Sequence, residues 1–199
     1  MPLGAFKAAL MGTAGVTTVT GDVVLLNTTT ITSDTAGVTW NSSIITSTYP
    51  QYLIKCYNVE GTTNDTAIVG QFSIDNGSNW NVATTTTFFI ASHTEADATS
   101  LAYQTGYDHA QATGWLYYMY KIGNAGDESG VMSMQLFNPS STTYVKHFLI
   151  EGQQYDGGNA SVHNFVSGYA DTTTAVNAMH IKAASGSIAN GIFKIWGVK

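Results

Sequence analysis

The chain has 199 residues, enough for one domain with a sizeable core, and a formal net charge of −6. All seven basic residues are lysines and arginine is absent, so the bidentate guanidinium contacts that nucleic-acid-binding proteins use are excluded. A single cysteine, Cys56, excludes an intrachain disulfide framework, and we expect it to be a buried thiol. No apolar run approaches the roughly 20 residues of a membrane span. We therefore expect neither a nucleic-acid partner nor membrane insertion.

The first 20 residues differ in composition from the rest of the chain. Phe6, Leu10 and Met11 would lie on a helix of one or two turns, which is too short to be stable alone. The segment either packs on its own domain or docks the protein onto a larger assembly. We read it as retained, because it lacks a clear signal-peptide cleavage site, and we expect synthesis in a cytoplasm. The predicted organisation is a docking arm, 1–20, and one domain, 21–199.

From Val23 onward, short runs rich in Thr, Val, Ile and aromatic residues recur about every 8–12 residues, which is typical of a β-sandwich or barrel. The sequence Asp75-Asn76-Gly77 predicts a turn, because Asn and Gly accept positive φ angles. Roughly ten strands follow from this pattern, and the fold class is predicted as all-β. The segments read as extended are 23–26, 28–32, 37–40, 44–48, 52–59, 67–74, 86–91, 102–107, 115–122, 131–137, 144–150, 162–169, 177–183 and 192–198.

Two neighbouring strands from 131 to 151 predict a hairpin whose turn contains Pro139. Both faces of this hairpin are largely apolar, so a second layer or a subunit contact should cover each side.

The strand before it, 115–122, is dense in aromatic residues on both faces. Left exposed, either face would form a larger apolar patch than monomers usually have. We therefore predict a subunit interface that contains Trp115, Tyr117, Tyr118 and Tyr120.

Candidate catalytic and metal-binding residues match no known ligand or nucleophile spacing. The five histidines form neither an HxH nor an HExxH pattern. His93, Glu95 and Asp97 alternate and would share one face of a strand, so a cation site there stays open beside the simpler reading of a polar loop. Two acidic pairs could serve a glycosidase, but solvated loop charges explain them better; they are Glu95 with Asp97 and Asp127 with Glu128. We predict no cofactor and no enzymatic activity.

Tyrosines in or beside loops are the remaining candidates for binding. Sugar rings stack on exposed aromatic side chains, and subunit interfaces use the same residues. Tyr103, Tyr107 and Tyr155 are the candidate glycan contacts, with an interface or core role as the alternative.

The second half of the chain resembles C-terminal jelly-roll domains of tailed-bacteriophage virion proteins, found in tail fibres and capsid-associated knobs. The resemblance covers about residues 86–199. It is carried by LFNPSSTTYVKHFL, by NFVSGYADTTTAVNAMHIKAASGSIANGIFKIWGVK, and by the shorter HTEAD and AYQTGYDHA segments.

The resemblance implies an antiparallel jelly-roll β-sandwich in a non-enzymatic virion protein, usually a homotrimer. In one function class the protein is structural, a knob docked on the capsid or tail through residues 1–20. In the other it is a receptor-binding fibre tip that recognises host-surface glycans. The absence of a coiled-coil or repeat shaft in the sequence favours the structural class. Partners would be two further copies and other virion proteins. An enzyme that degrades envelope polysaccharide is a third class that no motif supports.

Overall fold

The computed structural model describes residues 22–199. Within that range the chain forms twelve strands and no helix, and two antiparallel sheets pack into a β-sandwich, which confirms the predicted fold class. No helix in this range could span a membrane. In chain order the strands are β1 (Val23–Ile31), β2 (Val38–Trp40), β3 (Gln51–Gly61), β4 (Thr66–Ser73), β5 (Thr84–Thr94), β6 (Thr99–Tyr103), β7 (Leu116–Ile122), β8 (Gly130–Phe137), β9 (Lys146–Asp156), β10 (Ala160–Ala170), β11 (Ala178–Ala183) and β12 (Ile188–Val198).

The large sheet has eight strands in the order β1-β12-β3-β8-β9-β10-β5-β6, and the small sheet has four in the order β2-β11-β4-β7. Four strand pairs are nested in sequence, like the two arms of one long hairpin: β4 with β7, β3 with β8, β2 with β11, and β1 with β12. The hairpins β5–β6 and β9–β10 interrupt this nesting, and both extend the large sheet beyond β8.

Alternation along each strand of the large sheet fixes which side chains enter the core. On β8, Met132, Met134 and Leu136 are buried against the small sheet, while the residues between them point away from it. The predicted hairpin of 131–151 is confirmed as β8 and β9, with Leu136 opposite Phe148. Its turn has Pro139 at the second position, closed by a hydrogen bond from Ser141 N–H to the Asn138 carbonyl, 3.0 Å.

Some segments differ from the prediction. The predicted strand at 44–48 is a turn, because the N–H groups of Ile44 and Ile45 both donate to the Asn41 carbonyl at 2.9 Å. The polar segment after Glu151 continues β9 to Asp156, because the ladder with β10 determines its conformation despite its polar composition. The connection between β9 and β10 is only three residues long, 157–159.

The turn after β4 follows the prediction. Asn76 and Gly77 have φ angles of 61° and 89°. The Asp75 carboxylate accepts hydrogen bonds from the Asn79 side-chain amide (2.6 Å), the Ser73 hydroxyl (2.7 Å) and the Asn79 backbone N–H (2.9 Å). These donors stabilise the ionised carboxylate, first the Asn79 side chain and then Ser73, and lower the Asp75 pKa to about 2.

Candidate interaction surface

The side of the large sheet that points away from the small sheet carries most of the exposed large hydrophobic residues; we call it the outer face. Ten large hydrophobic residues are exposed in the described range. Only two of them, Ile74 and Tyr144, lie elsewhere. Clustering on one face marks an interaction site, whereas scattered exposed residues do not. The eight on the outer face are Val23, Leu25, Tyr57, Phe89, Leu101, Tyr103, Val131 and Leu149.

The strand register aligns these side chains in rows that cross the sheet. Phe89 and Phe165 are directly opposite each other on β5 and β10, and their rings stack with centroids 4.9 Å apart and planes 17° apart. The row through this pair runs Lys194, Lys55, Ser133, Glu151, Phe165, Phe89 and Tyr103. The neighbouring row runs Leu25, Trp196, Leu53, Gln135, Leu149, Ser167 and Thr87.

Small side chains leave hollows between the larger ones on the outer face. Ser133 and Ser167 lie among Phe89, Leu149 and Phe165, and together they line a shallow groove of about 290 Å³. A surface on which large apolar side chains alternate with small ones can pack against a complementary protein surface, as the cores of protein interfaces do.

The charges of the outer face are few and unevenly placed. Glu151 is paired with His163, with 2.9 Å between Oε1 and Nε2. Lys55 and Lys194 are directly opposite each other on β3 and β12, an unfavourable arrangement of like charges. Within residues 22–199, neither lysine has a carboxylate within 4.0 Å. The outer face therefore combines apolar with polar side chains, and its two lysines on the β3–β12 side have no carboxylate partner within residues 22–199.

The outward side of the small sheet, in contrast, is covered by the chain's own loops. Gln71 of β4 is buried because the 104–115 loop crosses it, and its side-chain amide donates to the carbonyls of Thr113 (3.2 Å) and Gly114 (2.5 Å). Trp115, at the end of this loop, packs edge-on against His180 with centroids 5.5 Å apart. Lys182 Nζ lies 4.4 Å from the centre of the Trp115 ring.

This covering bears on the subunit interface that the sequence predicts on the aromatic strand. Tyr118 is fully buried inside the chain, so the prediction that it contacts a partner is wrong. Tyr117 and Tyr120 are half-buried, because Tyr107 of the 104–115 loop packs on both, with centroids 4.7 and 4.9 Å away. The apolar faces of β7 are covered within one chain and do not require a partner.

The three tyrosines predicted as glycan contacts do not form one platform. Tyr107 is part of the aromatic cluster on β7. Tyr103 lies on the outer face, and its hydroxyl donates to Asp108 Oδ2 (2.8 Å), which raises the Tyr103 pKa. The Tyr155 hydroxyl bonds to Glu95 Oε1 (3.1 Å), in a polar groove at the end of β9. Tyr103 and Tyr155 are three strands apart across the sheet and four residues apart along the strand direction, which corresponds to a distance of roughly 20 Å.

The acidic and histidine residues singled out in the sequence also separate. Strand β5 ends at Thr94, so His93, Glu95 and Asp97 do not share a strand face. His93 Nε2 lies 3.1 Å from Asp97 Oδ1, whereas Glu95 bonds to Tyr155. In the part of the chain that the structure describes, no three His, Cys, Asp or Glu side chains are placed to hold a metal ion. Of the second acidic pair, Glu128 is buried and accepts a hydrogen bond from Ala125 N–H, 2.7 Å.

No family model matches the sequence, and no curated protein is significantly similar to it. The predicted docking residues Phe6, Leu10 and Met11 lie outside the described residues. The outer face is therefore the described surface with the strongest physical signal for function.

Proposed function

We propose that the protein is a non-enzymatic structural component of a tailed-bacteriophage virion, a jelly-roll knob that assembles into a homotrimer through the outer face. The observation that carries this proposal is the concentration of eight of the ten exposed large hydrophobic residues on that face. The protein would be made in the host cytoplasm and located in the virion, docked on the capsid or the tail through residues 1–20.

The strand order supports a jelly roll. A jelly roll has eight strands in two sheets connected as two Greek keys. Here the nested pairs place β1-β12-β3-β8 in one sheet and β2-β11-β4-β7 in the other. From the outermost pair, β1 with β12, to the innermost, β4 with β7, successive pairs alternate between the large and the small sheet. The hairpins β5–β6 and β9–β10 are insertions into this eight-strand frame. Viral capsid proteins commonly use this architecture, in agreement with the resemblance noted in the sequence.

The dimensions of the outer face suit a stable subunit contact. Eight strands about 4.8 Å apart span roughly 34 Å, and the outward rows extend roughly 25 Å along the strands. The product, roughly 850 Å², is close to the ~800 Å² that each partner buries in an interface of standard size. A second copy of the chain is the proposed occupant, and the number three is taken from the virion proteins that the sequence resembles.

The separation of the tyrosines favours this role over the alternative, a fibre tip that binds host-surface glycans. Tyr107 is packed in the aromatic cluster, and Tyr103 lies roughly 20 Å from Tyr155. A glycan site would therefore rest on Tyr103 or on Tyr155 by itself, and the three tyrosines could not serve it together.

The proposal is tested by the mass of the full-length protein and by its location. Light scattering at micromolar concentration should give about three times the 21.2 kDa chain mass. A reconstruction of purified virions should contain the sandwich, with the outer face buried between copies. A stable monomer would refute the assembly, and absence from purified virions would refute the structural role.

A further inference from the structure

The two edge strands of the large sheet have neither charged residues nor prolines to oppose pairing with another strand, although β1 has one irregularity in its register with β12, between Leu25 and Asn27. Exposed edge strands normally carry charges, prolines or bulges, or are covered, since their free N–H and C=O groups would otherwise bind another strand. The edge strands β1 (VVLLNTTTI) and β6 (TSLAY) contain no charged residue and no proline. Within residues 22–199, β1 pairs only with β12 and β6 pairs only with β5.

The hydrogen bonds at the ends of β6 show which backbone groups are free. Thr94 N–H donates to the Ala98 carbonyl, and Gln104 N–H donates to the Phe88 carbonyl. Because antiparallel ladders alternate, the even-numbered residues of β6 face β5. Three residues therefore direct their N–H and C=O groups away from the sheet: Thr99, Leu101 and Tyr103.

The same argument applies to β1. Lys199 N–H donates to the Asp22 carbonyl, so Asp22 directs its backbone groups toward β12. Because this direction alternates along an antiparallel strand, Val23 and Leu25 direct their N–H and C=O groups away from β12, out of the sheet. Val23 and Leu25 are about half exposed, and Leu101 is 77% exposed. Both free edges thus combine open hydrogen-bonding groups with apolar side chains on the outer face.

We propose that β6 of one copy pairs antiparallel with β1 of the next copy, so that the large sheet continues from subunit to subunit around the ring. This rests on the self-assembly proposed above and specifies its contact. The large sheet is wholly antiparallel and has an even number of strands, so its two edge strands run in opposite directions. A copy rotated about an axis along the strands therefore presents β1 antiparallel to β6.

A second copy fits these edges better than an unrelated strand does, because the two edges are complementary to each other. They lie at opposite ends of one sheet, they lack charges that would repel, and each carries apolar side chains on the same face. A head-to-tail contact of this kind closes into a ring when the rotation between copies is suitable.

Proline scanning of the outward positions tests the contact in the full-length protein. Leu101→Pro removes one outward N–H and spares the ladder with β5, since proline is tolerated at edge positions whose N–H faces solvent. Leu25→Pro does the same on β1. The matched controls Leu101→Val and Leu25→Val keep the N–H and an apolar side chain. Far-UV circular dichroism and thermal melting establish that each variant is folded.

At a concentration where the wild type is a trimer, each proline variant should scatter as a single 21.2 kDa chain, and each valine control should remain a trimer. Amide hydrogen exchange at Leu25 and Leu101 should be slow in the wild-type assembly. Because this measurement needs no variant, it tests the contact between β6 and β1 even if a proline variant does not fold.

Three results would overturn the edge contact. Trimeric proline variants with fast exchange at Leu101 would show that assembly uses other contacts, leaving the proposed function intact. Dissociation by Leu101→Pro but not by Leu25→Pro would show that β6 pairs with itself. A wild-type monomer with slow exchange at Leu25 would show that residues 1–21 occupy the edge, and it would refute the proposed self-assembly as well.

Discussion

Replacing Leu149 by glutamate tests whether the outer face is buried in the assembled protein. Leu149 is 48% exposed in one chain and lies at the centre of the face, between Gln135 and Ser167. Burying a whole leucine side chain contributes about 1.5–3 kcal/mol, so its exposed half would contribute about 1 kcal/mol per copy on assembly. Three copies give about 3 kcal/mol, which corresponds to more than a hundredfold in the association constant. A carboxylate buried in the same place adds several kcal/mol of unfavourable desolvation per copy.

We therefore expect Leu149→Glu to be monomeric at micromolar concentration by light scattering. The single chain should remain folded, with the thermal stability of its β-sandwich nearly unchanged. The matched control is Ile74→Glu, since Ile74 is 40% exposed but lies outside the outer face, and this variant should still assemble. If Leu149→Glu assembles as well as Ile74→Glu does, the outer face is not the interface and the reasoning from exposed apolar area is refuted.

The remaining predictions concern the fold of one chain. Gly70→Ala should lower the free energy of unfolding in urea by about 1–3 kcal/mol, because the added methyl group would overlap the buried Tyr118 ring; an unchanged midpoint would contradict this packing. The Asp75 carboxyl should titrate by NMR near pH 2, and the stability it contributes should be complete above its unfolded pKa of 3.8 and be lost as pH falls through about 2; Asp75→Asn should abolish this dependence. Cys56, whose pKa is raised by burial, should react with thiol reagents only in denaturant, and rapid labelling of the native protein would contradict its burial.

The strands were predictable because their signal is local. Alternation of apolar and polar residues locates β8, and the turn chemistry around Pro139 sets the end of the hairpin. The sequence also indicates that both faces of that hairpin are largely apolar, and two of its residues, Leu149 and Val131, lie on the outer face. The stacked Phe89 could have been assigned to the same face only with the order of strands in the sheet, which depends on pairing between distant parts of the chain.

The subunit interface predicted on the aromatic strand shows the limit of such reasoning. The composition of this strand correctly indicates two apolar faces, but the sequence does not show what covers them. The 104–115 loop has no regular period, and it is held in place by distant backbone contacts. Thr84 N–H donates to the Ala112 carbonyl and Thr86 N–H donates to the His109 carbonyl, both at 2.9 Å. Coverage by a loop and coverage by a partner leave the same pattern in a sequence.

The position of β12 has a consequence for synthesis. This strand, the twelfth in the described residues, lies between β1 and β3, so those two strands cannot join the same sheet until residues 188–198 have emerged from the ribosome. Pairing between such distant segments is intrinsically slow, because loop closure precedes the gain from contacts. A chain in which residues 188–198 are not yet available therefore lacks a complete β1–β12–β3 part of the assembly surface. Only chains in which β12 has formed can present both edges of the large sheet, which restricts subunit joining to copies with residues 188–198 in place.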